Sequence, residues 1–202
     1  MIVVWACIAG QVIFAGSALV LGAWLRRHPS KANAEWSSRV MHLLFFVLQN
    51  FLPLVLVFWP GIFQLDAVVG TAPLAPRTLW LVLGVALALP GLYLLGVTNK
   101  ALRALGNGAN AFRLTSTVVV DRIYGMTRNP MSLGFYLWLT SIGLMTGSTA
   151  FTLLVLLAIV PAHLTFLLGF EAHELPLRLG PSYEEYRRRT PFLLPRLRGT
   201  AA

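Results

Sequence analysis

Residues 129–170 read NPMSLGFYLWLTSIGLMTGSTAFTLLVLLAIVPAHLTFLLGF and contain no Asp, Glu, Lys or Arg. At 1.5 Å rise per residue, one helix of that length would run about 63 Å, roughly twice the hydrocarbon core of a bilayer. The stretch must therefore turn back. Thr146-Gly147-Ser148-Thr149 is the polar, small-residue break near its middle. Two membrane helices joined by a tight hairpin are predicted. Three further runs without charge lie upstream, at residues 1–25, 40–65 and 78–99. Each fits one crossing, so the expected fold is all-α and polytopic, with five transmembrane helices, the last two forming a C-terminal hairpin. The 202 residues are 57% hydrophobic and 11% charged, with mean hydropathy +0.73. A soluble domain is nearer a quarter charged. This composition excludes a disordered tail, a secreted disulfide scaffold and a typical water-soluble enzyme. The single cysteine, Cys7, can form neither an internal disulfide nor a cysteine-based metal site.

The net charge of +9 invites a nucleic-acid reading, and its placement answers that reading. Arg26, Arg27, Lys31 and Arg39 follow the first span. Lys100, Arg103, Arg113, Arg122 and Arg128 follow the third. Arg178, Arg187, Arg188, Arg189, Arg196 and Arg198 follow the fifth. Only Arg77 falls on the opposite side. The positive-inside rule puts the basic side in the cytoplasm, the N-terminus outside and the C-terminus inside. Anionic lipid headgroups are then the expected partners of the charge, and no nucleic acid is expected. The first span has no basic n-region and ends in Arg26-Arg27, so it reads as a retained helix and not a cleaved signal. The chain reads as one membrane domain, residues 1–202. Residues 1–99 form a three-helix anchor part, and residues 100–202 form the part that carries chemistry.

The first half is chemically quiet. Span one reads as a lipid-facing anchor. Gln49 and Asn50 are expected to bond neighbouring helices. Pro90-Gly91 and Pro161 are expected to kink theirs. Residues 66–77 read as a plain connector. His163, inside the last span, reads either as a neutral imidazole bonded to a neighbour or as a functional group. No metal is expected, because no cluster of His, Cys or acids at ligand spacing accompanies it. His28, His42 and His173 lie near interfaces and decide nothing. Gly106-Asn107-Gly108 follows no strand, which excludes a dinucleotide-binding turn.

The second half is different. Residues 114–134, LTSTVVVDRIYGMTRNPMSLG, pass through Tyr124-Gly125 into Arg128-Asn129-Pro130 and then directly into an apolar helix. Asn129 suits an N-cap and Pro130 the first helical turn. Residues 170–195, FEAHELPLRLGPSYEEYRRRTPFLLP, place Glu171 where the last span meets water. An amphipathic helix, Gly180, a Tyr183/Tyr186 turn, Pro191 and Pro195 follow. Read blandly, these are a helix start with a basic anchor, and an interfacial helix lying on the membrane.

Together the two segments resemble the isoprenylcysteine carboxyl methyltransferases and their relatives, the phospholipid methyltransferases. The family's helix-start motif, Arg-His-Pro-x-Tyr-x-Gly, stands here as Arg128, Asn129, Pro130, Met131, Ser132, Leu133 and Gly134. Its tail stands as Leu179, Gly180, Tyr183, Tyr186, Pro191 and Pro195, with Glu171 on a family glutamate. The resemblance covers residues 106–196. Four departures stand out. Asn129 replaces a histidine, Ser132 replaces a tyrosine, and Ala172 replaces the second of two glutamates. Leu167 or a neighbour occupies the place of a substrate-binding arginine.

The resemblance implies an enzyme that transfers a methyl group from S-adenosylmethionine at the cytoplasmic membrane face. Thr117, Val118 and Val119 would give backbone contacts to the cofactor and Tyr124 would pack on it. Asn129, Pro130, Met131 and Ser132 would line its pocket at a helix N-terminus. Glu171 would meet its ammonium group, with Arg128 either beside the reaction or on lipid headgroups. The tail would roof the pocket as a lid. The implied acceptor is lipid-like or prenylated, most like an isoprenylcysteine carboxylate; an amine nitrogen, a phospholipid or a thiol sulfur is the alternative. A non-catalytic lipid- or partner-binding module of the same fold is the competing class, and a small transporter a third. Glu171 is expected to matter far more than Glu174.

Overall fold

The computed structural model describes residues 1–106, 114–120 and 122–195. Asn107 and Gly108 of the glycine loop, and Arg113, Arg196 and Arg198 of the basic clusters, lie outside the described residues. Among the described residues all regular structure is helical. In chain order the helices are α1 (Ile2–Arg27), α2 (Lys31–Gly61), α3 (Leu65–Val69), α4 (Arg77–Leu105), α5 (Arg122–Met126), α6 (Pro130–Thr146), α7 (Thr149–Leu179) and α8 (Pro181–Arg189). Four of them, α1, α2, α4 and α7, are long and apolar enough to cross a membrane. At 17 residues, α6 is shorter.

The hairpin turn falls where the sequence places it. α6 ends at Thr146, and Gly147 adopts a left-handed φ of 70° that suits glycine. Ser148 then caps α7 by accepting the Phe151 N–H at 3.2 Å. The connector over residues 66–77 is not plain. Asp66 is buried and accepts from the Thr71 hydroxyl and the Ala150 N–H, both at 2.7 Å. Leu74 N–H bonds the Gly147 carbonyl at 2.9 Å. Arg77 donates to the carbonyls of Leu144 and Met145, the open C-terminus of α6. Cations favour that end of a helix, so the lone basic residue on this side has a structural partner.

Helix pairs pack closely through glycine. α4 and α6 meet where Gly91 faces Gly134; a Cβ on Gly134 would lie 2.9 Å from both the Gly91 oxygen and Leu94 Cβ. α1 and α7 meet where a Cβ on Gly22 would collide with the Gly169 carbonyl. Small residues let backbones approach closely where lipid offers no hydrophobic drive to associate. α1 is thus more than a lipid-facing anchor. Cys7, Gly10, Gln11, Phe14, Ala18, Gly22 and Leu25 form a buried stripe at helical spacing. Gln49 bonds a neighbouring helix as expected, donating to Gln11 at 2.6 Å, and Gln11 donates to the Leu48 carbonyl at 2.7 Å; Asn50 does not, its amide donating instead to the Phe45 carbonyl of its own helix at 3.0 Å.

Proline explains much of the irregular winding. π-helical turns at Phe45–Phe51 and Val155–Ile159 lie just upstream of Pro53 and Pro161, whose missing N–H groups interrupt the regular ladder. α4 runs unbroken through Pro90, and α7 through Pro176. Pro176 leaves the Ala172 carbonyl without its helical donor, and Arg187 of α8 supplies one at 3.4 Å.

Candidate functional site

The elements enclose a cavity of about 410 Å³. Most of its wall comes from four parts of the chain, and Leu95 and Leu102 of α4 and Tyr183 and Tyr186 of α8 complete it. α7 contributes His163, Phe166, Leu167, Glu171, Leu175, Arg178 and Leu179, a single helical face. The start of α6 contributes Pro130, Met131, Ser132 and Phe135. The segment between α4 and α6 contributes Thr117, Val118, Val119, Tyr124, Arg128 and Asn129. α2 contributes Met41, His42, Phe45, Phe46 and Asn50. All ten residues singled out from the sequence therefore line one cavity. The α2 wall was missed, although His42, Phe46 and Asn50 recur at helical spacing and marked that face.

Glu171 lines the cavity and, among the described residues, makes no hydrogen bond or salt bridge. Arg128, Arg178 and Glu174 are all within its electrostatic reach. Arg178 pairs instead with Glu174, one turn earlier, and also donates to the Thr115 carbonyl. Glu174 is 2% exposed. Glu174 thus anchors the arginine that bonds the Thr115 carbonyl, in the segment containing Val118 and Val119, a structural part that the expectation about cofactor binding did not address. That segment is tied a second time by the Thr117 hydroxyl, which donates to the Leu105 carbonyl at 3.1 Å.

Opposite lies the start of α6. Asn129 occupies the N-cap position, but its side chain makes no cap bond there. Its amide donates to the Phe192 carbonyl at 2.8 Å. Met131 and Ser132 line the cavity from the first turn, where backbone N–H groups have no intrahelical acceptor and Asn129 supplies none. An anion is favoured at such a terminus.

The tail closes over this point. Arg128 N–H bonds the Pro191 carbonyl at 2.8 Å, and the Thr127 hydroxyl donates to the Leu193 carbonyl at 2.9 Å. The Tyr186 hydroxyl donates to the Tyr124 carbonyl at 2.7 Å. The Arg128 guanidinium lies 5.6 Å from the Phe192 ring centroid and beside the Tyr183 hydroxyl, while its buried Nε has no partner. The guanidinium is therefore drawn between cavity and tail. Burial raises the phenols of Tyr124, Tyr183 and Tyr186 above their ordinary range; the Glu171 charge adds to this at Tyr124 and Tyr183, and the neighbouring tyrosines at Tyr186. All three stay protonated donors.

His163 lies at the other end of the cavity. Rings of Phe45, Phe135, Tyr136 and Phe166 surround it at centroid distances of 5.3–5.8 Å. Its buried Nδ1 has no hydrogen-bond partner. The reading of an imidazole bonded to a neighbour is corrected.

A stretch of 77 residues is 40% identical to Methanethiol S-methyltransferase 2 of Bradyrhizobium diazoefficiens (strain JCM 10833 / BCRC 13528 / IAM 13628 / NBRC 14792 / USDA 110). It covers 37% of this chain and 27% of that protein. No family model matches the chain, and no solved structure matches it. The long apolar helices support an integral membrane protein.

Proposed function

We propose that this chain is an S-adenosylmethionine-dependent methyltransferase of the membrane, with five crossings, its cavity facing the cytoplasm, and an apolar acceptor reached through the membrane. The observation that carries this reading is the pairing of opposite preferences across one cavity. Glu171 presents a carboxyl group that makes no hydrogen bond or salt bridge among the described residues, and the first turn of α6 presents N–H groups without intrahelical acceptors. An amino-acid zwitterion satisfies both: Glu171 would hold its ammonium and Met131 and Ser132 its carboxylate. Arg128, with an unused buried Nε, would add a donor on that side. Thr117, Val118 and Val119 would border the nucleoside, and Tyr124 would give it a flat face.

When bound, that cofactor supplies an electrophilic methyl on a sulfonium. The protein's part is orientation and exclusion of water, which suffice for an in-line displacement. The tail segment fixed on Thr127 and Asn129 would keep water from the polar end.

Two acceptor classes have support. A thiol is favoured by the name of the similar protein, and by Leu167 in the place where a carboxylate-binding arginine was expected. A prenylated or lipid-borne carboxylate is favoured where the unused Nε of Arg128 serves the acceptor in place of the cofactor's carboxylate. The cytoplasmic orientation rests on the placement of basic residues. The fold's fit to the bilayer makes membrane lipids its surroundings. Isothermal titration of the purified, detergent-solubilised chain with S-adenosylhomocysteine tests the cofactor: saturable one-to-one binding is expected. Its absence would leave the bare binding module as the better account. Assays with ethanethiol and with an N-acetyl farnesylcysteine then separate the acceptors.

A further inference from the structure

The methyl-transfer reading accounts for the polar end of the cavity and leaves the aromatic end unused. His163 and Glu171 stand eight residues apart on α7, roughly 12 Å along its axis at 1.5 Å per residue. Both line the same cavity. A zwitterion held at Glu171 therefore leaves the His163 end for a second molecule.

The chemistry of that end is narrow. Phe166 stacks on the imidazole with an interplanar angle of 4°, while Phe135 and Tyr136 meet it edge-on at 79° and 87°. Phe45 closes a further side at 5.3 Å. His163 is 5% exposed, and its Nδ1 has no hydrogen-bond partner. A buried polar atom is normally paired; Nδ1 is not, and neither is the buried Tyr136 hydroxyl of the adjoining ring, while the imidazole itself borders the cavity where a ligand would sit. No cationic side chain lies among these ring neighbours. A carboxylate would be bare there, whereas a neutral X–H group with a small apolar body would fit.

We propose that His163 is a catalytic residue that accepts the proton of a small thiol seated in the cavity against Phe45, Phe135 and Phe166. This rests on the methyl-transfer reading above. The acceptor sulfur forms a bond to the donor methyl carbon as the carbon–sulfonium bond breaks. The electron pair of the broken bond stays on the donor sulfur, and the S–H proton passes to the free imidazole nitrogen. A neutral thioether and a neutral sulfide result. The single positive charge moves from sulfonium to imidazolium, so the net charge of the site is unchanged. The proton leaves to water once the products have gone.

The test uses the full chain in detergent micelles with ethanethiol as probe. The variants are His163→Phe, which keeps a ring, and His163→Gln, which keeps an acceptor but is no base. General-base catalysis contributes about 10²- to 10⁴-fold, so both variants should lose at least about 100-fold in ethanethiol methylation. Both should bind S-adenosylhomocysteine within about twofold of wild type, which also shows that they fold. A readout independent of turnover is the ¹⁵N resonance of the His163 ring, assigned by its loss in His163→Phe. Ethanethiol added to the S-adenosylhomocysteine-bound wild type should shift it. If wild type methylates ethanethiol, variants that match it, or an unmoved ring resonance, overturn the role of His163 alone. If wild type neither binds S-adenosylhomocysteine nor methylates any thiol, the underlying reading falls and this proposal with it. Turnover of a small amine or carboxylate in place of the thiol would also overturn it.

Discussion

Glu171 and Glu174 are three residues apart on one helix and have opposite surroundings. Glu171 faces the cavity and makes no salt bridge among the described residues, whereas Glu174 is buried against Arg178. Substituting the two should therefore affect different measurements. Glu171→Gln removes one charge-assisted hydrogen bond to a bound ammonium, worth about 1.5–3 kcal/mol. S-adenosylmethionine affinity should fall roughly tenfold to a hundredfold, with little change in melting temperature. Glu174→Gln strands a buried guanidinium, a loss of about 3–5 kcal/mol when one partner of a buried pair is removed. The melting temperature should drop clearly in a thermal-shift assay. Weakened binding would follow only through loosening of residues 114–120. Equal effects of both substitutions on both readouts would contradict the assignment. Sequence spacing identified Glu171, because it ends the longest charge-free run. It also ranked Glu174 below Glu171, but could not show which of the two Arg178 pairs with, since the arginine stands near both in the chain and chooses by rotamer and burial. The same limit hid the surroundings of His163, whose ring neighbours come from α2 and α6 as well as α7.

At the scale of the element, the hairpin and the tail were legible because each carries local punctuation. Gly147 and Ser148 mark a turn in any context, and Gly180 takes a φ of 70°. What was not legible is contact between elements. α1 looked like a plain anchor because its buried stripe is made of Gly, Ala, Cys and Phe, which contrast little with the lipid-facing residues. The tail's function as a strap depends on Thr127, Arg128 and Asn129 bonding the backbone of residues 191–193. Truncation after Leu179 retains Glu171 and the whole of α7 while removing α8 and the strap. Binding of S-adenosylhomocysteine should weaken by more than about tenfold, while the protein remains inserted in membranes. Unchanged affinity would mean that the tail only lies on the surface. A second test addresses α4 and α6. Gly134→Val places a branched side chain against the Gly91 carbonyl and Leu94. Overpacking of this kind typically destabilises by about 1–3 kcal/mol, to be read as a lower melting temperature. Gly125→Ala, at a glycine whose Cβ would meet nothing within 4 Å, is the control.

For the whole molecule the open question is which side each end faces, and α6 is the element on which the count of crossings depends. Its 17 residues rise about 25 Å, a little short of the roughly 30 Å core but at the lower limit for a crossing. Its start is bonded to the tail, and its end meets the connector that precedes α4. α4, at 29 residues, begins at that connector and runs back toward the tail side. If α4 crosses, α6 returns across the same thickness, and the bilayer must thin locally or the flanking side chains must extend to the interface. Five crossings, with the tail among the basic clusters, then follow from the positive-inside rule. Cysteine labelling can decide this, because Cys7 is fully buried and gives little background. Ser148 is a poor probe position, being buried as the cap of α7. Pro73 and Ser182 are exposed, one on the connector and one on α8. With an impermeant maleimide, Pro73→Cys should label in intact cells, and Ser182→Cys only after permeabilisation. Labelling of both from outside would place the connector and the tail on one face, which four crossings would require and five forbid.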